Sequence, residues 1–361
     1  MGNMFDYLDW RGDLPFSDVP FTPVDALIFS TLVYARFEGI VPADMVHPIP
    51  LHVAADALLS LADAESRVRV KSDIALLKAA AAAPRLRNSR LAFYRSKLIA
   101  EEETQFAAMT FLLDDGTAFL CFRGTDETLV GWKEDFNMSF QDSIPAQREA
   151  AAYTLEVAER YPMLLRLGGH SKGGNLAIYA AAAADDLTQR RILRVYNLDG
   201  PGFTDTLMGD AGYLAMVPKI QTYIPESSII GILLEHEEAY TVIKSRQVGI
   251  LQHEPYSWEI MGGDFIHVQE MSAGSQFADR TIKNWIRDMD KAQRSALVDA
   301  MFRLLSAGGA SNVRDLLHPK MIRSFFSTLA TNEQTRKMLT GEFLEFLRAA
   351  AEAIPRGDKQ G

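Results

Sequence analysis

The sequence predicts an α/β protein with a mainly parallel sheet flanked by helices, preceded by N-terminal helices and followed by a helical C-terminal extension. Apolar residues recur at helical spacing in the first hundred residues, strand-like and helix-like runs alternate after residue 105, and amphipathic runs return after about residue 275. We therefore expect one large domain over residues 1–274, comprising a mostly helical part (1–100) and a sheet core (101–274), with a helical extension over residues 275–361.

The N-terminal part carries recognisable helix starts and stops. Thr22, Pro23 and Asp25 form a capping pattern with proline in the first turn, and the apolar run ALIFSTLVYARF follows. The runs DALLSLADAESRV and DIALLKAAAAA are also predicted helices, and Pro84 ends the second of them.

The sheet core begins where the apolar period changes. The stretch QFAAMTFLLDDGTAFLCFRGT contains two strand-like runs joined by Asp114, Asp115 and Gly116, which predicts a β-hairpin. A helix over residues 145–160, the strand MLLRLGG, a helix over residues 175–184 and the strands ILRVYNL and PKIQTYI follow. Strands separated by helices indicate parallel pairing with helices on both faces.

Composition narrows the class of function. The chain has 361 residues, of which 48% are hydrophobic and 23% charged, and a formal net charge of −10. An acidic chain without a basic stripe argues against nucleic-acid binding, which needs clustered Lys and Arg. No apolar run is long enough for a membrane-spanning helix, which needs about 18 residues, and contact with a lipid surface stays open.

Cysteine usage and the first residues indicate the compartment. Cys121 is the single cysteine, so an intrachain disulfide is excluded, and its apolar strand AFLCF indicates a packing role. The sequence as written does not start with the basic and apolar pattern of a secretory signal, and we expect a cytoplasmic protein. No His, Cys, Asp and Glu cluster has metal-ligand spacing, so we expect no metal and no other cofactor.

The stretch LGGHSKGGNLAIY is the strongest indication of chemistry. Ser171 lies between Gly169 and Gly173, after an apolar strand and before an alanine-rich helix. A serine on a sharp strand-to-helix turn leaves no room for side chains two residues away, which is why G-x-S-x-G accompanies a nucleophile. His170 adjoins the serine but would point away from it on such an elbow, and we interpret it as a supporting residue.

Five stretches resemble those of a known enzyme group. GGHSKGGNLAIY is similar to the elbow of the class 3 lipase branch of the α/β-hydrolases, and CFRGTDETLVGWKEDFNMSF is similar to the FRGT segment of that branch. With YLDWRGDLPF, YNLDGPGF and QHEPYSW, they resemble a bacterial family of lipase-like α/β-hydrolases over most of residues 1–270. The resemblance implies the α/β-hydrolase fold and cleavage of carboxylic esters.

The resemblance also implies roles for individual residues. Ser171 would be the nucleophile, and the backbone N–H groups of Thr125 and Lys172 would form the oxyanion hole. Thr125 follows a strand, where the second oxyanion donor of this fold is expected. We interpret Trp132 and Asp135 in the same segment as scaffold.

The acid of a triad has two candidates. In this fold the order is serine, acid, histidine, and Asp199 ends the strand RVYNL immediately before the turn Gly-Pro-Gly. Class 3 lipases usually carry the acid one strand later, where this chain offers only Glu226, with Ser228 near the expected aspartate position. We favour Asp199, whose setting is similar to that in pancreatic-type lipases.

Three histidines follow the acid. His253, in QHEPYSW, is predicted at the end of the strand-like run VGIL and in a Pro-containing loop, which suits a catalytic base. His236 lies among glutamates, and we expect a solvated helix end. His267 lies in an alternating run, as an ordinary edge residue would.

The predicted function is a serine hydrolase with a Ser171, Asp199 and His253 triad, acting on a small-molecule or lipid ester. The apolar segments 204–218 and 226–250 are predicted either as a lid or as helices packed on the core. A thioesterase or peptidase would use the same triad, and a non-catalytic binding protein would offer residues 275–355 as its partner surface. The sequence leaves the oligomeric state open.

Overall fold

The computed structural model describes residues 2–272 except 127, 139 and 229, together with residues 291–295 and 298–299. Within them the helices are α1 (Met4–Arg11), α2 (Pro23–Leu32), α3 (Leu51–Leu59), α4 (Lys71–Ala82), α5 (Pro84–Arg87), α6 (Leu129–Asn137), α7 (Pro145–Arg160), α8 (Lys172–Ala182), α9 (Asp186–Arg191), α10 (Asp205–Met208) and α11 (Ala211–Met216). The strands are β1 (Ile49–Pro50), β2 (Arg90–Ile99), β3 (Thr104–Leu112), β4 (Ala118–Phe122), β5 (Leu165–His170), β6 (Ile192–Leu198), β7 (Ile220–Pro225), β8 (Tyr240–Ile243), β9 (Ile260–Met261) and β10 (Asp264–Phe265).

The eight strands β1 to β8 form one sheet in chain order. Strands β1 to β4 pair antiparallel, and β4 to β8 pair parallel. The predicted hairpin is confirmed: Leu112 pairs with Ala118 across a turn in which Gly116 has a φ of 76°. Helices cover both faces of the sheet, and the predicted α/β-hydrolase fold class is confirmed by this arrangement.

The N-terminal helices pack on one face of the sheet. α2 begins as predicted, because the Thr22 side chain accepts from the Asp25 backbone while the Asp25 carboxylate accepts from the Thr22 backbone. Nearly all of α2 is buried, and its Phe29 ring lies 4.4 Å from the ring of Phe111 on β3. Cys121 of β4 is buried beside Phe29, with its Sγ 3.5 Å from the Phe29 carbonyl oxygen. The N-terminal helices and this face of the sheet therefore share one hydrophobic core.

Helices α7, α8 and α11 pack on the opposite face. Their apolar side chains meet those of the strands in a second cluster, which includes Tyr153 of α7 and Leu176 of α8. Parallel strands sandwiched in this way bring the carboxyl ends of β4, β5 and β6 together at one edge. Thr125, Ser171 and Asp199 follow these three strand ends.

Several regions differ from the prediction, including the run DALLSLADAESRV, in which the α-helix ends at Leu59. The mostly helical part also contains β2, whose alternating pattern is interrupted by a bulge between Ala92 and Arg95 that hides its period in the sequence. Segment 226–250 forms no packed α-helix in its described residues: turns lead to β8, and Phe203 pairs with Glu235 in an isolated bridge. Segment 204–218 does contain the short helices α10 and α11.

The predicted extension over residues 275–361 lies almost wholly outside the described residues. Its described part is helical, at residues 291–295 and 298–299. The proposed partner surface over residues 275–355 and the division into domains therefore stay predictions. In the described part of the chain, no helix combines the length and the apolar character needed to cross a membrane.

Candidate active site

Ser171 occupies a strained turn between β5 and α8. Its φ of 60° and ψ of −136° lie where a residue with a side chain rarely stays, and such strain typically accompanies function. The flanking glycines allow this turn: a Cβ on Gly169 would stand 2.4 Å from the Gly173 carbonyl carbon, and a Cβ on Gly173 would stand 2.1 Å from the Phe122 carbonyl oxygen. The local geometry is that of a nucleophile elbow.

Asp199 and His253 meet directly. His253 Nδ1 lies 2.6 Å from Asp199 Oδ2, and the carboxylate is fully buried. Because the acceptor is a carboxylate, His253 donates through Nδ1, which leaves Nε2 to accept a proton. Of the two candidate acids, the structure therefore brings Asp199 to the histidine.

The other oxygen of Asp199 is also held. Ser228 Oγ donates to Asp199 Oδ1 at 2.5 Å, and the backbone N–H of Asp199 donates to the Tyr223 carbonyl at 2.9 Å. Ser228 thus supports Asp199 from near the position where a class 3 lipase would carry its acid. The backbone N–H of Glu226, the alternative acid, donates to the Ile243 carbonyl oxygen at 3.0 Å, which places Glu226 beside the end of β8.

His253 lies beside the elbow, although its local structure differs from the prediction. The run before it is a 3₁₀-helix, Gly249–His253, and not a strand end, since Gly249 has a φ of 54° and turns the backbone. The His253 ring is about a quarter exposed, and its centroid lies 4.5 Å from that of His170, the neighbour of Ser171.

The two remaining histidines lie in different settings. The prediction of a solvated helix end for His236 is wrong: its side chain is 5% exposed, with Nδ1 3.0 Å from Glu238 Oε1 and Nε2 2.7 Å from the Gly231 carbonyl oxygen. Burial of the Glu238 carboxylate requires such partners, which is why this apparently solvated run turns inward. The His267 side chain is half exposed, and its backbone forms an isolated antiparallel bridge with Ile243, which fits an edge residue.

A charged network surrounds Thr125 and Lys172, the two residues predicted to form the oxyanion hole. Lys172 Nζ donates to Glu134 Oε2 at 2.9 Å and to Gln105 Oε1 at 2.8 Å, and the Lys172 and Glu134 side chains are fully buried. Thr125 Oγ1 donates to Asp135 Oδ2, which ties the loop after β4 to α6. Burial raises the pKa of Asp135 to about 6, against the lowering effect of the Lys172 charge.

Some members of this network were not predicted. Glu134 and Gln105 had no assigned role, and Asp135 was assigned to scaffold alone. The available signal was Lys172 itself, because a lysine at the start of an otherwise apolar buried helix needs a buried anion. Among the described residues, no group of three or more His, Cys, Asp or Glu side chains is placed to hold a metal ion.

Comparison with known proteins identifies a family. The Mbeg1-like family model matches residues 80–303, more than half of the chain, and confirms the resemblance to a lipase-like family. None of the curated proteins matches the chain.

Solved lipases are similar at low identity. A structure of Rhizomucor miehei triacylglyceride lipase is 17% identical, covering 61% of this chain and 77% of the lipase with a TM-score of 0.35. A mutant form of MDLA from Penicillium cyclopium is 13% identical, covering 70% of this chain and 87% of that protein with a TM-score of 0.40.

A third similar structure is covered over a smaller share of its length. The native Rhizomucor miehei lipase propeptide complex is 20% identical with a TM-score of 0.33, covering 44% of this chain and only 57% of the lipase chain. The fold assignment accordingly stands on the strand order and layers of the structure itself.

Proposed function

The chain belongs to the Mbeg1-like family, and from the geometry of its site we propose that it is a serine hydrolase that cleaves carboxylic esters through an acyl-enzyme on Ser171. The observation that carries the proposal is the 2.6 Å contact between the buried Asp199 and His253, beside a serine held in an elbow conformation. A serine hydroxyl is a poor nucleophile until a base takes its proton, and these residues supply that base and its support.

Each residue has a defined step in this mechanism. His253 Nε2 takes the proton from Ser171 Oγ as the oxygen attacks the ester carbonyl, and Asp199 stabilises the resulting imidazolium. The backbone N–H groups of Thr125 and Lys172 stabilise the oxyanion. His253 then gives its proton to the alcohol, which leaves as the acyl-enzyme forms, and water attacking with the help of His253 releases the acid.

Active-site labelling tests the proposal. We expect a fluorophosphonate probe to label the wild-type protein, and Ser171→Ala to abolish labelling. His253→Ala should slow it by at least about a thousandfold, because the triad acts as a unit. The matched control is Ser60→Ala, at the exposed end of α3, which should label like the wild type. Labelling that persists in Ser171→Ala would disprove the assignment.

The substrate class needs a second measurement. The triad does not encode the leaving group, so the acyl group and its partner must be determined by turnover. We expect p-nitrophenyl and lipid esters to be cleaved faster than acyl-thioesters and peptides of equal acyl length. A preference for thioesters or peptides would leave the triad assignment intact but show that the enzyme is a thioesterase or peptidase. No labelling at all would favour a non-catalytic binding protein.

A further inference from the structure

His170 contacts the backbone of the residue proposed as base. His170 Nε2 lies 2.8 Å from the carbonyl oxygen of His253, and Nδ1 lies 3.1 Å from the hydroxyl of Tyr34, near the C-terminal end of α2. The His170 ring is buried at 3% exposure. Residues 34, 170 and 253 lie far apart in the chain. Strand β5 and the loop that carries His253 (residues 249–257, the base loop) therefore meet only in the folded molecule.

The hydrogen-bond partners assign one tautomer to His170. A carbonyl oxygen only accepts, so Nε2 must carry the proton that it donates to His253. Burial, followed by the charge of His253 when that ring is protonated and by the charge of Arg69, holds the pKa of His170 well below its usual range, so the ring is neutral and has one N–H. Nδ1 is therefore a bare acceptor, and the Tyr34 hydroxyl donates to it. Tyr34 thus stabilises the tautomer that holds His253.

The same loop is attached to the N-terminal part of the chain at two further points, Arg69 just before α4 and Asp73 within it. Arg69 forms a two-fold ion pair with Glu254, the residue after His253, at 2.7 and 2.8 Å. The Tyr256 hydroxyl donates to Asp73 Oδ1 at 2.8 Å. The Arg69 guanidinium also lies 5.1 Å from the centre of the Tyr34 ring, which links this anchor to the His170 contact.

We propose that His170 and Tyr34 are positioning residues that hold the backbone of His253 in register with Ser171, and that the Arg69–Glu254 pair anchors the same loop. The inference rests on the proposed serine hydrolase function and deepens it. The distance between the proposed base and the proposed nucleophile must be held closely constant, since a displacement of about 1 Å can cost roughly a hundredfold in rate. The N-terminal residues Tyr34 and Arg69 lie outside the segment matched by the family model, which begins at residue 80.

Tyr34→Phe is the first test, because it removes only the hydroxyl and keeps the ring beside Arg69. With p-nitrophenyl butyrate we expect kcat to fall by roughly 5- to 20-fold with an unchanged KM, since a lost buried hydrogen bond loosens the base and not the substrate. The matched control is Tyr153→Phe, a buried tyrosine whose hydroxyl bonds with Thr110 and the Phe93 carbonyl. It should lower the unfolding midpoint and leave kcat unchanged.

A pair of substitutions at His170 separates positioning from packing. His170→Leu removes the donor to the His253 carbonyl, and we expect kcat to fall by roughly a hundredfold. His170→Gln retains an N–H donor and should recover kcat to within about tenfold of the wild type. Folded His170→Leu and Tyr34→Phe variants with wild-type kcat would overturn the proposal, as would an equal fall of kcat in Tyr153→Phe.

A measurement without turnover separates this inference from the proposed function. In the Ser171→Ala protein, ¹⁵N NMR of the histidines should show a neutral His170 protonated at Nε2 and a His253 signal that shifts on adding Tyr34→Phe. A His170 protonated at Nδ1, or a His253 signal unchanged by Tyr34→Phe, would contradict the inference. A wild-type protein that fails to label with fluorophosphonate would instead disprove the hydrolase, whatever the NMR result.

Discussion

At the scale of the residue, the space around Asp199 sets the geometry of the site. A Cβ on Gly231 would stand 2.2 Å from Asp199 Oδ1, closer than any real contact of this kind. We predict that Gly231→Ala displaces the carboxylate and lowers kcat by at least about a hundredfold, because the imidazole loses its orienting partner. Steady-state kinetics on an ester substrate would measure the effect.

The control for this prediction is a glycine with room for a methyl group. At Gly209, an added Cβ would meet only the Asp205 carbonyl oxygen at 3.7 Å, an ordinary contact. Gly209→Ala should therefore retain wild-type kcat. Equal activity of the two variants would show that Asp199 does not depend on this close packing.

Asp135 provides a pH-dependent prediction. Its pKa is about 6 in the fold, compared with an ordinary value of 3.8, so the folded chain holds the proton more tightly than the unfolded chain. The stability contributed by Asp135 is present below about pH 4 and is lost as the pH rises through about 6. Asp135→Asn does not titrate, so its free energy of unfolding relative to the wild type should rise between pH 4 and pH 7, by at most about 3 kcal/mol.

Urea unfolding at a series of pH values would measure this difference. The exposed Asp13→Asn variant controls for the loss of one negative charge. If the two variants follow the same pH profile relative to the wild type, the partly buried setting of Asp135 has no energetic consequence.

The residues of the candidate site differ in how far the sequence could predict them. Ser171 and His253 lie in motifs whose spacing reflects backbone requirements, and the structure places His253 beside the elbow and in contact with Asp199. Tyr34 could not be found in this way, because its contact with His170 spans 136 positions and Tyr34 lies outside the five motif stretches. Such contacts depend on packing between elements, which local patterns do not encode.

At the scale of the element, one buried ion pair joins the elbow to its neighbours. Glu134 of α6 accepts from Lys172 at the start of α8, from the Gln105 backbone on β3 and from the Ala146 backbone on α7. We predict that Lys172→Met destabilises the fold by about 3–5 kcal/mol, since it leaves a buried carboxylate without its cation. Denaturant unfolding would measure the loss.

A partly exposed ion pair gives the comparison. Lys97 lies 2.7 Å from Glu149, with the two side chains 38% and 27% exposed. Lys97→Met should cost no more than about 1 kcal/mol, because water screens such pairs. Similar losses in the two variants would mean that burial of the Lys172–Glu134 pair carries no special energetic weight.

Elements with clear periodicity and caps were predicted well, and those shaped by tertiary contacts were not. Helix α7 and strand β6 have the predicted bounds, and the cap of α2 forms as its residues indicate. Only the helix alternative for segment 226–250 is wrong, because apolar residues without a clear period can line an irregular loop around a buried carboxylate as well as a helix. Its lid role stays a prediction.

At the scale of the whole molecule, the N-terminal helices and the sheet should unfold together. Asp25 and Arg85 form a fully buried ion pair between α2 and α5, at 2.7 Å, and Phe29 packs against Phe111 and Phe119 of the sheet. One hydrophobic core therefore contains residues from before position 80 together with residues of the segment that the family model matches. A core shared in this way predicts one cooperative transition.

Phe29→Ala tests this coupling. The phenylalanine is fully buried, so its truncation should cost about 3–5 kcal/mol through lost burial and the cavity left behind. Circular dichroism and loss of fluorophosphonate labelling should shift to lower denaturant concentration together, although Phe29 lies on an N-terminal helix. The exposed Leu187→Ala variant should change stability by less than about 0.5 kcal/mol. Labelling that persists after part of the helical signal is lost would show that the N-terminal helices unfold separately, and that the base loop does not need them.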